Sequence, residues 1–290
     1  MISSLASAIP AFPIDKVEGW ISDTLPVPLH VFGLVVAIGV IIGAEIARRH
    51  SWRYNVHDDD FRGLSLTVVV TGFIGAHVFD VLFYQWDDFM KDPMLIVKIW
   101  AGISSYGGFI GGALGFFGYT WFRRLNTGLF ADSIMLGLLP GFTIGRLACT
   151  LASDHVGSET SFVLGFDYPA MRLFGFNGPV RLHNLGFYEL LYLIPVCAIV
   201  LWLGFRSKKR LAAGSLAVLT GLLYAPVRFA LDYLRFDKSD PRYLSLTFAQ
   251  WMSIVAFIAA GYVFLQLRKH GKPAPTSAEL GDKVGGRLTA

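Results

Sequence analysis

Seven long apolar stretches, separated by short polar segments, dominate the chain. A helix needs about 20 mostly apolar residues to cross the hydrocarbon core of a bilayer. The stretches have about that length, at residues 29–47, 64–84, 103–122, 129–152, 187–205, 213–234 and 246–267. The pattern therefore predicts an all-α, polytopic membrane protein with seven transmembrane helices.

The distribution of basic residues predicts how these helices are oriented. Of the 25 Lys and Arg residues, 15 lie on the side formed by the first, third and fifth connections and the C-terminal tail. Eight lie on the opposite side, and Arg146 and Arg228 fall within predicted spans. Because short cytoplasmic loops carry the excess of positive charge, we expect the N-terminus outside and the C-terminus in the cytoplasm.

The same pattern predicts a simple domain organisation. Residues 1–28 lack the basic start and apolar centre of a signal peptide, so we expect a periplasmic or interfacial segment there. Residues 29–269 form the transmembrane domain. Within it, the long connection 153–186 is rich in Gly and Phe and predicts a lid or small head on the outer side. Residues 270–290 resemble a disordered cytoplasmic tail.

Composition excludes several functional classes. Apolar and aromatic residues make up 54% of the chain, and the mean hydropathy is +0.53. The net charge of +4 is spread over short connections, so we expect contact with anionic lipid and no nucleic-acid partner. Two cysteines without metal-ligand spacing indicate neither a disulfide framework nor a metal site. The predicted spans contain no lysine, which excludes a retinal Schiff base.

Two arginines within predicted spans are the strongest functional signal. A guanidinium at mid-bilayer costs roughly 2.5–3.5 kcal/mol on insertion scales, and such residues usually face a partner or a polar cavity. Arg228 shares a helix face with Tyr224, Asp232 and Arg235, while Arg146 lies late in the fourth span. The pattern indicates a site for an anionic head group. The alternatives are a self-neutralising Arg228–Asp232 pair and an Arg146 that snorkels to the interface.

Other polar positions are weaker candidates. The third span opens with SSYGGFIGG, where Tyr106, Gly107 and Gly108 either meet a phosphate or allow close helix packing. His77 lies three residues before Asp80 in the second span, and a single buried histidine is more often structural. Glu189 starts the fifth span and could orient an arginine.

Several of these segments, in this order, resemble the prolipoprotein diacylglyceryl transferases. The family signature runs from Gly145 and Arg146 to Asp154 and Gly157, with Asp154 in place of a glutamate and Cys149 in place of an asparagine. The Tyr224–Arg228–Asp232–Arg235 series resembles the sixth-helix pattern of the family. Three further matches are GAH at His77, HNLGFYE with His183, Tyr188 and Glu189, and LTFAQWMS with Gln250.

The resemblance implies a transferase that moves diacylglycerol from phosphatidylglycerol to the lipobox cysteine in a preprolipoprotein signal peptide, in a bacterial inner membrane. It implies no cofactor. Arg146 and Arg228 would bind the head group and leaving group, and acids would orient them. The implied residues are Tyr106, Arg146, Asp154, Tyr224 and Arg228 for catalysis, and Arg146, Arg228, Asp232, Arg235, Gly107, Gly108, Gly157, Glu189, His77 and Gln250 for substrate binding.

Two questions stay open from the sequence. Tyr106 stands where the family usually has the histidine held to be the base, so the base is Tyr106 itself or an imidazole from His77 or His155. The same departure leaves a second hypothesis, a non-catalytic lipid-binding or lipid-transporting relative on the same scaffold.

Overall fold

A computed structural model describes residues 9–13, 17, 30–98, 102, 104–169, 171, 175–207, 210–236, 242–281 and 283–287. This part of the chain is mostly helical. Its α-helices are α1 Val31–Trp52, α2 Asp58–Phe83, α3 Trp86–Lys91, α4 Ser105–Phe122, α5 Thr127–Ala152, α6 Leu185–Phe205, α7 Ser215–Leu231, α8 Phe248–His270 and α9 Ser277–Leu280. Short 3₁₀ helices lie at Pro93–Val97 and Asp232–Leu234.

Six helical segments are long and apolar enough to cross a membrane: α1, α2, α5, α6, the Ser215–Leu234 segment that contains α7, and α8. The third predicted span is the 18-residue α4. It is absent from the six because its glycines, Tyr and Thr lower its hydropathy. The multi-pass helical class is therefore confirmed, whereas the count of seven spans and the orientation of the termini stay predictions.

The chain divides into two compact units. The first comprises Met1–Ala47 and Asp132–Pro273, and the second comprises Arg48–Ala131 and Ala274–Ala290. The core of the first unit includes Leu136, Leu193 and Val200, from α5 and α6.

A buried acid near the start of α5 has a structural role in this unit. Asp132 accepts hydrogen bonds from the backbone N–H groups of Gly214, Leu216 and Ala217, at 2.8–2.9 Å. These groups have no partner within α7 because they belong to its first turn. The carboxylate also complements the positive end of the helix dipole. The burial of Asp132 is thus explained by its contacts with the start of α7, and no ligand is needed to account for it.

The connection between α5 and α6 contains strands, which corrects the predicted all-α class. Strands β1 Ile9–Pro10, β2 Val156–Glu159, β3 Phe166–Tyr168 and β4 Val180–Asn184 form a sheet in the order β1-β3-β4-β2. The β3–β4 and β4–β2 pairs are antiparallel, and β1 pairs with β3 in parallel. A second, two-stranded sheet joins β5 Arg242–Tyr243 to β6 Leu246–Thr247.

The four-stranded sheet has a small core of its own. Val156, Phe166, Tyr168 and Leu182 are buried, as alternation along the strands requires. On β3 and β4, Arg181 donates two hydrogen bonds to Asp167, and this pairing holds the pKa of the Asp167 carboxyl below its usual range. The predicted outer head is thus an ordered sheet. Of the predicted interfacial segment 1–28, the structure describes residues 9–13, which include β1, and residue 17. The rest of this segment lies outside the described residues.

In the second unit, α2 and α4 pack through glycines. An added Cβ at Gly111 would lie 3.0 Å from the Cα of Gly75, so the two helices approach more closely than larger residues allow. This supports the packing interpretation of the glycine run in α4.

The C-terminal residues of this unit differ from the predicted disordered tail. Arg287 and Arg123 both pair with the buried Asp60, at 3.0 and 2.8 Å. The backbone N–H of Gly285 donates to the carbonyl of Asn55 at 2.8 Å. The ion pairs of Asp60 and the backbone hydrogen bond of Gly285 give this segment a defined conformation. Its composition alone did not indicate this.

Candidate active site

The first unit brings Arg146 together with an acid from the next long helix. The Nε of Arg146 on α5 lies 3.0 Å from Oε2 of Glu189 on α6, and the exposed fractions of these side chains are 11% and 4%. The other carboxylate oxygen of Glu189 accepts a hydrogen bond from the hydroxyl of Tyr224 on α7. Three helices therefore converge on one buried carboxylate.

Arg228 lies one helical turn after Tyr224 and is held by a second acid. Its Nη1 donates to Oδ1 of Asp232 at 2.8 Å, which confirms the contact expected from the i, i+4 spacing. Asp232 has no exposed side-chain surface. It also accepts from the hydroxyl of Thr247, and Nη1 of Arg235 lies 3.8 Å from its Oδ1. The carboxylate of Asp232 thus lies between the guanidinium groups of Arg228 and Arg235.

Glu189 connects Arg146 to the helix that carries Arg228. Its carboxylate pairs with the guanidinium of Arg146 and accepts from the hydroxyl of Tyr224, which lies one helical turn before Arg228 on α7. Arg146 and Arg228 thus lie in a largely buried environment, each beside a carboxylate that orients it. Oriented guanidinium groups suit an anion such as a phosphate, which can accept several of their N–H donors.

The donors of Arg146 are not all used by the protein. Although its Nε is near Glu189, the angle does not allow a hydrogen bond, and Nε is the one buried side-chain N or O without such a partner among the described residues. The guanidinium carbon lies 4.6 Å above the ring centroid of Phe142. Phe142 thus holds one face of the guanidinium by a cation–π contact.

Three side chains that could take part in a reaction follow Arg146 at and after the end of α5. Nη1 of Arg146 donates to Sγ of Cys149 at 3.6 Å and lies 3.4 Å from Nε2 of His155. Nδ1 of the same imidazole lies 2.6 Å from Oδ1 of Asp154. We expected Asp154 to orient Arg146 by direct contact. In the structure, His155 lies between them and contacts both.

Two residues carried over from the resemblance have positions that support the site. An added Cβ at Gly157 would lie 2.7 Å from Cβ of His183, and Gly157 forms a backbone bridge with Arg235. Glycine thus allows the strand after Asp154 to approach Arg235. Gln250 is buried and forms a reciprocal capping box with Thr247 at the start of α8, so it positions the hydroxyl that contacts Asp232.

The remaining candidates belong to the second unit. Both ring nitrogens of His77 face backbone carbonyls, those of Gly102 and Ile96, each at 3.1 Å. His77 therefore does not pair with Asp80, which instead accepts from Gln85 at 2.5 Å. Tyr106 is partly buried in the first turn of α4, with Gly107 and Gly108 beside it.

Sequence reasoning missed Thr247 and Phe142. Threonine followed three residues later by glutamine is a capping-box pattern, which signals the start of α8 but not the contact with Asp232. Phe142 lies one turn before Arg146 on α5, so its spacing was compatible with contact. In an apolar helix, however, a phenylalanine gives no distinguishing signal.

Comparison with known proteins identifies what this arrangement resembles. The family model for prolipoprotein diacylglyceryl transferase matches residues 21–266. A phosphatidylglycerol–prolipoprotein diacylglyceryl transferase of Thermosynechococcus vestitus is 28% identical over 256 residues, which is 86% of this chain and 92% of that protein. Proteins of the same name from Nostoc sp. and Bifidobacterium adolescentis are 28% and 24% identical, over 89% and 88% of this chain and 93% and 80% of theirs.

Proposed function

The chain belongs to the prolipoprotein diacylglyceryl transferase family, and we propose that it transfers the diacylglyceryl group of phosphatidylglycerol to the lipobox cysteine of a preprolipoprotein. The product is a thioether, and glycerol phosphate leaves. The observation that carries the site assignment is the largely buried cluster in which Glu189 contacts Arg146 and Tyr224, and Tyr224 lies one helical turn before Arg228.

In this proposal the arginines bind the phosphodiester and stabilise the charge that develops on the leaving phosphate. Arg146 and Arg228 are the principal ligands, and Arg235 adds positive charge at the other side of Asp232. Guanidinium groups suit this task because they remain charged and can pair with two phosphate oxygens at once. Pre-oriented donors need no reorganisation as the carbon–oxygen bond breaks.

The acids and Tyr224 have an orienting role in the same proposal. Glu189 restrains Arg146, and its bond from Tyr224 fixes the carboxylate between the arginines. Asp232 restrains Arg228 and is itself held by Thr247. These contacts restrain the arginines before substrate binds, as a positioned binding site requires. We call Arg146, Arg228 and Arg235 with Glu189 and Asp232 the phosphate clamp.

The cellular setting is part of the proposal. We place the protein in a bacterial inner membrane with seven spans, the N-terminus and the four-stranded sheet outside, and the C-terminus in the cytoplasm. The positive-inside bias supports this orientation. The cysteine substrate would then reach the arginines from the outer side. Its signal peptide would lie in the bilayer.

Replacing one arginine tests the proposal. We expect Arg228→Ala to lower transfer at least ~100-fold, the scale on which a single charge-stabilising donor contributes. The variant and the wild type are expressed in a transferase-depleted bacterium, and the mass of a model lipoprotein is measured. Arg206→Ala, at the exposed end of α6, serves as the control and should retain activity.

Two results would contradict this account. Normal lipidation by a membrane-inserted Arg228→Ala variant would remove Arg228 from the site. Failure of the wild-type chain to restore lipidation, despite normal insertion, would favour the non-catalytic lipid-binding relative.

A further inference from the structure

An aspartate–histidine pair lies beside the arginine cluster and has no role in the phosphate clamp. Asp154 and His155 follow α5, and their side chains are 37% and 28% exposed. Oδ1 of Asp154 lies 2.6 Å from Nδ1 of His155. On its other side the imidazole faces Arg146, whose Nη1 is 3.4 Å from Nε2.

These two contacts determine which imidazole nitrogen carries the proton. A guanidinium can only donate hydrogen bonds, so Nε2 of His155 presents its lone pair to Arg146. Nδ1 then carries the proton and donates it to the Asp154 carboxylate. An imidazole in this tautomer, oriented by a carboxylate at Nδ1 and with Nε2 free to accept, is the arrangement that serves as a general base in Ser-His-Asp enzymes.

We propose that His155 is the general base of this enzyme and that Asp154 is its positioning residue, an inference that depends on the transferase function proposed above. The substrate thiol gives its proton to Nε2 of His155. The thiolate sulfur forms a bond to the glyceryl carbon, and the bond from that carbon to the phosphate oxygen breaks. The electron pair leaves on glycerol phosphate, which the arginines hold, and the imidazolium then returns its proton to that phosphate or to water.

The location of His155 matches this task. A thiol has a pKa of about 8.5 and must be deprotonated before it attacks. The base must therefore lie within reach of the carbon next to the bound phosphate, and Nε2 of His155 points to one of the two principal phosphate ligands. When a phosphate draws the donors of Arg146 to itself, the lone pair on Nε2 is released for the thiol.

The other candidate bases are less suitable. Both nitrogens of His77 face carbonyl oxygens, which offer them no proton and leave no lone pair directed at a substrate. A neutral phenol is a much weaker proton acceptor than an imidazole, so Tyr106 is less suited than His155 to take the thiol proton. Cys149 could act as a nucleophile itself, but the thioether so formed would be too stable to pass the lipid on.

A metal site is the competing interpretation of the same residues. Cys149, Asp154 and His155 each place one possible ligand atom within 4.8 Å of the others, and a bound zinc ion would also deprotonate a substrate thiol. However, Nη1 of Arg146 donates to the sulfur and faces the lone pair of Nε2, so two of the three possible ligand atoms are already engaged. The geometry favours a base without metal.

The decisive experiment compares two nucleophiles. The full-length protein in phosphatidylglycerol-containing nanodiscs is given a lipobox peptide with cysteine or with selenocysteine, and product is measured by mass spectrometry. A selenol is already ionised at neutral pH and needs no base. We expect His155→Gln to lower transfer to cysteine ~100-fold or more, the usual contribution of a general base, and to lower transfer to selenocysteine less than ten-fold.

The controls separate this inference from the function on which it depends. His270→Gln, at the exposed end of α8, should leave transfer to both peptides unchanged. Arg228→Ala should lose transfer to both, because the leaving phosphate is the same. If wild-type protein modifies neither peptide, the transferase function itself fails. Activity of His155→Gln toward selenocysteine would also show that this variant is folded.

Three outcomes would overturn the base assignment. The first is undiminished transfer to cysteine by His155→Gln, and the second is an equal loss with both peptides. The third is transfer that a chelator abolishes, zinc restores and Cys149→Ser eliminates, which would identify a metal site. We expect Cys149→Ser to change transfer at most a few-fold.

Discussion

Asp232 is the residue on which the positive charges of α7 and the segment after it depend. It is fully buried, and its carboxylate contacts Arg228 and Thr247, with Arg235 at 3.8 Å. Asparagine would keep the shape and one acceptor oxygen but remove the negative charge. Two guanidinium groups would then remain close together without their common counter-charge.

We therefore expect Asp232→Asn to destabilise the protein by about 3–5 kcal/mol, the usual cost of breaking a buried ion pair by removing one partner. The measurement is the thermal unfolding midpoint in detergent, compared with that of Asp88→Asn on the exposed surface of α3. An Asp232→Asn midpoint equal to that of the wild type would show that solvent or lipid, and not this carboxylate, compensates the arginines.

At the residue scale, contacts within one helix could be predicted from the spacing of the residues, whereas contacts between elements could not. The Arg228–Asp232 pair follows from i, i+4 spacing within one helix. The caps made by Asp132 were not predictable because its partners lie more than 80 residues away. The contact between His155 and Arg146 depends on the turn after α5, where Ser153 adopts a positive φ of 53°. Nothing in the local pattern indicates that backbone conformation.

At the element scale, the α2–α4 pair shows why α4 contains so many glycines. An added side chain at Gly111 would collide with the backbone of α2 at Thr71 and Gly75. At Gly118, on the same helix, an added Cβ would have no atom within 4 Å. Gly111 is therefore packed closely against α2 and Gly118 is not, although the sequence alone does not distinguish the two glycines.

This contrast predicts different outcomes for the same substitution. We expect Gly111→Leu to force the helices apart and to destabilise the protein by at least ~1–3 kcal/mol, as overpacking does. Gly118→Leu should leave stability unchanged or raise it slightly, since leucine is the better helix former. Thermal unfolding of both variants in the same detergent checks this. Equal midpoints for the two would contradict the packing account of the glycine run.

The elements themselves were predictable to different degrees. Long apolar stretches predicted the helices because burial in lipid demands a continuous run of suitable residues. The strands of the α5–α6 connection are only three to five residues long, and Pro169 and Pro179 lie directly after β3 and before β4. β3 also pairs with β1, far away in the sequence, and the alternation of Phe166 and Tyr168 is too short to identify a sheet.

At the scale of the whole molecule, the chain combines a family scaffold with a departure at Tyr106 from the pattern that the resemblance implies. The match over residues 21–266 covers the helices that carry the arginines and acids. Tyr106 replaces the histidine expected from the resemblance, and His155 with Asp154 supplies an imidazole and a carboxylate beside Arg146 instead. The account thus places the phosphate clamp and its proton acceptor within a single unit of the fold.

If Arg146 and Arg228 bind one and the same phosphate, as we propose, their contributions to lipid binding must be coupled, and a double-mutant cycle measures this coupling. The dissociation constant for phosphatidylglycerol is measured for the wild type, Arg146→Ala, Arg228→Ala and the double variant, with folding checked by thermal unfolding. We expect each single variant to bind at least ten-fold more weakly and the double variant to lose little more, with a departure from additivity of more than about 1 kcal/mol. Losses that add to within about 0.5 kcal/mol, as for independent sites, would show that the two guanidinium groups do not share a ligand.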